Sequence, residues 1–305
     1  MASEHVRVLY DHISDAAGKK IDLFIHSNGG ATTVPWRLVN LIRERASSFS
    51  VLIPYRAFSA ATLTALGADE IVMHPMGNLG PTDPTVTNSF NPRDKSSNQL
   101  LGINVEDVNA YIQLIKEDVG IQHQDELVTA FNKLADQVHP LALGNVKRFL
   151  IQSRQMARKI LLLHMANTTE EHRIDELVES FTSKLYYHGH PINRQEAENE
   201  LGMKNIKSPP KRVENAMWNL YLEYEKEMLM STPFDAPQEF ISKFPNLNPK
   251  ESNITNPTPA KVTYIESSLK SDVKQFEYQI FGEKQQNGAI SWSMNVINDG
   301  WIQEP

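Results

Sequence analysis

Apolar positions over residues 1–84 fall into runs of two alternating kinds. Residues 6–14 read as a first helix. Ile21-Asp22-Leu23-Phe24-Ile25-His26 is a continuous apolar strand with one internal carboxylate. Val34, Leu38, Leu41 and Ile42 share one face of a helix over residues 34–45, and Pro35 fits its first turn. Residues 50–55 form a second strand, residues 59–67 an alanine-rich helix, and Glu70-Ile71-Val72-Met73 a third strand. A turn-rich loop fills 77–84. Strands alternating with helices predict an α/β layered fold with a mostly parallel sheet.

The pattern then changes. Residues 86–101 are polar and loop-like. Val105, Val108, Ile112, Ile115 and Val119 mark one amphipathic helix, and Leu127, Ala130, Phe131, Leu134 and Val138 a second. Further helices are expected over 149–165, 173–185 and 213–230, with a short one at 194–201 that Gly202 closes. Residues 231–259, rich in Pro, Asn and Ser, read as a linker. Strand-like runs at 261–265, 276–281, 290–296 and 300–303 follow, with Asn287-Gly288 as a hairpin turn. The expected organisation is therefore a main domain over 1–230 with a helical insertion at about 103–138, a linker over 231–259, and a small β appendage over 260–305.

Composition narrows the function. The chain has 305 residues, 40% hydrophobic and 22% charged, with a net charge of −7. It carries no basic footprint for nucleic acid and no polybasic membrane anchor. Cysteine is absent, which excludes disulfides and thiolate metal sites. The longest apolar-rich run, 51–73, is broken by Arg56, Asp69 and Glu70, so no membrane span is expected. These features lead to an expected cytoplasmic location.

Two features in the first 84 residues bear chemistry. Gly29-Gly30 ends the first strand. It reads either as a strand-to-helix turn or as an oxyanion hole, one backbone N–H there joining a second at Ala60. Ser59 opens the alanine-rich helix. It reads either as an N-cap or as a nucleophile needing a base within hydrogen-bond reach. Taken together the two point to a serine hydrolase. Metal chemistry gains little: His188-Gly189-His190 offers two imidazoles without a third ligand at helical spacing. No Gly-rich phosphate loop with a following Lys occurs.

Ile25-His26-Ser27-Asn28-Gly29-Gly30, Ala57-Phe58-Ser59-Ala60-Ala61-Thr62-Leu63, Leu66-Gly67-Ala68-Asp69-Glu70-Ile71-Val72-Met73 and Leu79-Gly80-Pro81-Thr82-Asp83-Pro84 resemble the serine dehydrogenase proteinase family. That family belongs to the Clp/crotonase fold group, with signal peptide peptidase A and the Clp proteolytic subunit. The likeness continues through His139-Pro140-Leu141-Ala142-Leu143-Gly144, His188-Gly189-His190-Pro191-Ile192 and Ile265-Glu266-Ser267. The resemblance implies a Clp/crotonase-like spiral of β-β-α units, oxyanion donors at Gly29 and Gly30, and Ser59 as nucleophile. Relatives usually place a strand ahead of the first helix, and this sequence starts at about that helix.

The base also comes from the resemblance. His139, before Pro-Leu-Ala-Leu-Gly and a long helix, is similar to the histidine of the Clp subunits' His-Gln-Pro-Leu-Gly-Gly segment. It reads equally as a packing histidine or a helix-cap neighbour. His188 stands where Clp subunits carry an orienting Asp, so it orients the base, or the enzyme works as a dyad. Signal peptide peptidases use a lysine, but Lys133 and Lys147 read as solvated charges; Asp83 reads as a turn residue. The resemblance thus implies a serine endopeptidase acting on polypeptides, with no cofactor, in a homo-oligomer that hides its active sites. Two rivals share the fold: a crotonase-like acyl-CoA enzyme, which would want a carboxylate acid/base and a basic pocket, and a catalytically silent oligomeric scaffold.

Overall fold

Four short parallel strands build the sheet that carries the candidate site. In a computed structural model, residues 1–14, 18–82, 85–165, 171–184 and 189–304 are described. Strand β1 (Lys20–Phe24) pairs with β2 (Ser48–Ile53), with Ile21 beside Phe49 and Leu23 beside Val51. β2 pairs with β4 (Glu70–Met73), and β4 with β9 (Ile206–Lys207), giving the order β1-β2-β4-β9. A smaller sheet joins β3 (Arg56–Ala57), β5 (Asn78–Leu79) and β8 (Ile192–Asn193). Mixed α/β architecture with a parallel sheet thus matches the alternation in the sequence.

Helices bury this sheet. α1 spans Ser3–Ile13. α2 (Val34–Arg45) buries Val34, Leu38, Val39 and Ile42, with proline in its first turn. α3 (Ala60–Leu66) is buried at every residue, so its small side chains let α2 and α6 (Pro140–Met165) pack closely on it. The expected helix over 149–165 in fact begins at Pro140, directly after His139. α6 also covers β6 (Thr85–Val86), β7 (Ile103–Asn104) and α4 (Val105–Gln113): Val86, Val105, Val146 and Leu150 form one apolar cluster. α5 (Gln124–Gln137) buries none of its residues, and α7 (Glu171–Glu179) buries Ile174, Leu177 and Val178.

The chain divides into two compact units. One holds Met1–Val6 and Ala16–Met217; the other holds Arg7–Asp15 and Trp218–Pro305. This differs from a boundary at 230, because α8 (Lys211–Glu227) contributes residues to both. The expected linker over 231–259 is corrected. It contains α9 (Ala236–Lys243), whose N-cap Asp235 accepts a hydrogen bond from Gln238 N, and β10 (Ser252–Ile254). Phe240 of α9 is fully buried, packed with Ala236, Tyr278 and Ile280. Its proline fits a helical first turn, so Pro and Asn content alone misread the segment.

The second unit is an antiparallel sheet. β11 (Thr258–Glu266), β12 (Ser271–Lys284) and β13 (Ile290–Glu304) replace the four shorter runs expected there. β13 is one strand, not two, because a bulge at Ile297 carries the pairing through. Gly288 sits at φ 86° in the turn before it. His12 Nε2 of α1 donates to Asp272 Oδ2 of β12 at 2.8 Å, within the same unit. Phe240→Ala removes the ring that fills this core. The expected cost is about 3–5 kcal/mol for the second unit, read as an earlier urea transition by tryptophan fluorescence; an unshifted transition contradicts this packing.

Candidate active site

β3 runs through Phe58 into α3, and Ser59 stands at that strand-to-helix turn. Its backbone lies at φ 52° and ψ −113°. Non-glycine residues avoid positive φ, and holding one there costs on the order of 1–3 kcal/mol. Surrounding contacts must therefore impose it. A serine on a sharp strand–turn–helix has its Oγ thrust out of the turn, the arrangement of a nucleophile elbow. Ser59 is partly accessible, its side chain makes no capping hydrogen bond to the helix, and Oγ has no hydrogen-bond partner among the described residues. The N-cap reading of Ser59 therefore fails as a hydrogen bond, although the residue does occupy the N-cap position.

The loop after β1 seats against this turn. Ser27 bridges Ala57 in parallel: Ser27 N donates to Arg56 O at 2.9 Å and Phe58 N to Ser27 O at 3.0 Å. Gly29 follows with φ 108°. A Cβ on Gly29 would stand 2.7 Å from Ser59 Cβ, 2.8 Å from Phe58 O and 3.3 Å from Ala60 N. Only glycine satisfies both the backbone angle and the contact. Gly30, at φ 143°, packs in turn on the backbone of Met1, whose carbonyl accepts from Ala31 N at 2.9 Å and whose nitrogen bonds Gly29 O.

The donors of this loop are not equivalent. Gly29 N donates to Ser27 Oγ at 3.1 Å, so that N–H is already used. The amides of Gly30 and Ala60 have no acceptor among the described residues. Sequence reading missed Ser27, although a hydroxyl two residues before a glycine turn is a known cap of such turns.

Residues beyond the turn hold α3 in place. Thr62 Oγ1 donates to Ala57 O at 2.6 Å or to Gly80 O at 2.8 Å, and accepts from Gly80 N at 3.1 Å. It is fully buried and ties β3, α3 and Gly80, just after β5, together. At the other end, Arg43 donates to Gly67 O at 3.0 and 2.6 Å and to Asp69 at 2.8 Å; Asp69 also accepts from Phe49 N at 2.8 Å. Burial disfavours the Asp69 carboxylate, but the Phe49 amide and the Arg43 guanidinium outweigh it and hold its pKa below the usual range.

Among the described residues no histidine hydrogen-bonds Ser59. His139 precedes α6, is exposed, and stacks on Phe90 with centroids 4.9 Å apart. Its Nδ1 accepts from Leu141 N at 3.1 Å, which leaves the proton of the neutral ring on Nε2. No hydrogen bond joins it to Ser59. His188 and Asp83 lie outside the described residues. His26, close in sequence to the glycine turn, has Nδ1 on Arg56 N at 3.3 Å and stacks on Tyr55. Among the described residues no three His, Cys, Asp or Glu side chains cluster as a metal site.

Gly29 therefore seats directly on the turn of Ser59, beside Ala60 N. Residues 3–120 match the ClpP-like SDH-type serine proteinase family. Two uncharacterized proteins of Methanocaldococcus jannaschii, MJ1495 and MJ0137, are each 38% identical to the chain over 66 residues, 22% of this chain and 23% of theirs. The aligned stretch thus spans under a quarter of the length of either relative. The ClpP-like region contains Gly29, Gly30, Ser59, Ala60, Thr62 and Asp69, while His139 and His188 fall outside it. Among the described residues no helix is long and apolar enough to cross a membrane.

A separate cavity of ≈ 750 Å³ opens at the far end of α3 from Ser59, lined in part by Asp69, His164, Arg173, Lys204 and Lys207. Burial, reinforced by Arg43, pushes the His164 imidazole down to about 4, and its Nδ1 has no hydrogen-bond partner among the described residues. The unfolded chain takes up that proton below its ordinary value of 6.5. Stability contributed by neutral His164 is therefore present above pH 6.5 and is lost as pH falls toward 4. His164→Gln should flatten this acid limb, by up to about 3 kcal/mol between the two limits, in urea unfolding at pH 7 and pH 4.5. An unchanged acid limb contradicts the assignment. For the turn itself, Gly29→Ala drives a methyl into Ser59 and should lower stability by about 1–3 kcal/mol. The check is denaturant unfolding; a neutral Gly29→Ala contradicts the close approach.

Proposed function

We propose that the chain is a serine peptidase that cleaves polypeptide substrates through Ser59. The observation that carries this reading is the positive φ of Ser59, held by a glycine whose absent side chain makes room for it. Strain of this kind persists where surrounding structure enforces it, and it clusters at active sites. The membership of residues 3–120 in a serine proteinase family pattern supports the same chemistry.

In this reading Ser59 Oγ attacks the scissile carbonyl carbon, and the carbonyl oxygen becomes an oxyanion. The Gly30 and Ala60 amides, which bond no acceptor among the described residues, are the proposed donors to that charge. Gly29 serves by close approach, since its own N–H is bound by Ser27. The proton of Ser59 passes to His139 and then to the leaving amine, while water later releases the acyl group. For His139 to accept at Nε2, its ring must surrender the Leu141 N–H bond and move its proton to Nδ1. Substrate binding therefore has to bring the start of α6 toward Ser59. His188 is the proposed orienting partner of that base.

A second reading rests on the same resting geometry. Among the described residues Ser59 has no base bonded to it, as in a catalytically silent scaffold. One experiment separates the two. The full chain is incubated with a fluorophosphonate probe and the adduct is mapped by mass spectrometry. The peptidase reading expects labelling at Ser59, its loss in Ser59→Ala, and a fall of about 10²-fold or more in the labelling rate of His139→Ala. Absence of labelling in the wild type, or equal labelling of Ser59→Ala, defeats the proposal. Normal labelling of His139→Ala keeps Ser59 but removes His139 as base.

A further inference from the structure

β13 is the edge of the C-terminal sheet. Its neighbour β12 pairs on the opposite side with β11 and β10. Among the described residues no strand pairs with the outer side of β13, and residues 291–299 are all exposed. The register places Trp292 beside Gly282, Met294 beside Ile280 and Val296 beside Tyr278. Those three side chains thus share the face that α9 covers on β12, where Ile280 is 0% and Tyr278 7% exposed. On β13 the cover is incomplete: Trp292 is 47%, Met294 40% and Val296 54% exposed.

Edge strands are ordinarily blunted by charge, proline or shortness. Residues 290–298, Ile-Ser-Trp-Ser-Met-Asn-Val-Ile-Asn, contain neither a charged residue nor a proline. Such a segment, apolar on alternate positions and unpaired, is a template for another strand.

We propose that the occupant is a second copy of this chain, paired β13 to β13 in antiparallel register about a two-fold axis through Met294. In that register Trp292 stands opposite the partner's Val296 and the two apolar rows stay on one face. No like charges meet within the paired stretch, because it has none; Asp299, bound to Lys274 at 2.8 Å, lies just beyond it. Nine paired residues extend roughly 30 Å. Covering that backbone edge and the half-exposed Trp292, Met294 and Val296 hides on the order of 600 Å² per copy, the lower range of a specific interface. The two sheets then run as one across the axis. β13 lies outside residues 3–120, so this interface stands independently of the chemistry at Ser59.

The test uses the full chain in analytical ultracentrifugation, with disulfide trapping. The chain has no cysteine, so Met294→Cys introduces one thiol at the axis. Wild type should sediment with a dimer component whose dissociation constant rises at least about tenfold in Met294→Lys and in Val296→Lys. Both sites are exposed, and the circular dichroism melt should stay unchanged. Met294→Cys should form an intermolecular disulfide on mild oxidation, while the exposed control Ser267→Cys should not. A monomeric wild type, assembly indifferent to both lysine variants, or no selective cross-link at Met294→Cys overturns the proposal. A monomer whose edge instead binds an added peptide overturns it as well.

Discussion

The site depends on one close approach: the backbone of Gly29 lies where a side chain would meet Ser59 Cβ, Phe58 O and Ala60 N. This contact does two things at once. It keeps the strand-to-helix turn compressed, so that Ser59 stays at positive φ instead of relaxing into an ordinary helix start. It also sets the Gly29 backbone against Ala60 N. Any substituent at Gly29 opposes both effects, which is why a single hydrogen atom at this position matters more than any polar group nearby.

That approach is useful only because the elements on either side are held. Thr62 fastens the first turn of α3 to β3 and to Gly80, through hydrogen bonds that are wholly buried and therefore costly to lose. Arg43 and Asp69 fix the far end of α3 to the start of β2. Further along, Ser153 of α6 donates to Thr82 O at 2.8 Å, so α6 is tied to the loop that follows β5. His139 lies 14 residues before Ser153, or about 20 Å along the helix axis.

The strands β1, β2 and β4 were legible because each is an apolar run with a turn signal at its end. So was the Gly29–Ser59 pairing, since glycine at a strand end and serine before small residues are local patterns. The motif around Asp69 was legible only as resemblance; its physical cause, a carboxylate shared by Arg43 and the Phe49 amide, joins residues 20 and more positions apart. β3, β5, β8 and β9 have two residues each, too few to show any periodicity. The segment 231–259 misled because Asp235 and proline open a helix as readily as they mark a loop. β13 read as two strands because the bulge at Ile297 shifts the alternation by one. The roles of His139 and His188 came from family likeness rather than local pattern, and spatial partnership between residues 80 positions apart leaves no mark in a single sequence.

The account stands or falls on where an oxygen sits when Ser59 is acylated or trapped. A crystal structure of the chain bound to a peptide boronic acid measures it directly. The account predicts a covalent bond from Ser59 Oγ to boron, with one boronate oxygen about 2.7–3.1 Å from both the Gly30 and the Ala60 nitrogen. A boronate absent from Ser59, or attached with its oxygens turned away from those two amides, would contradict it.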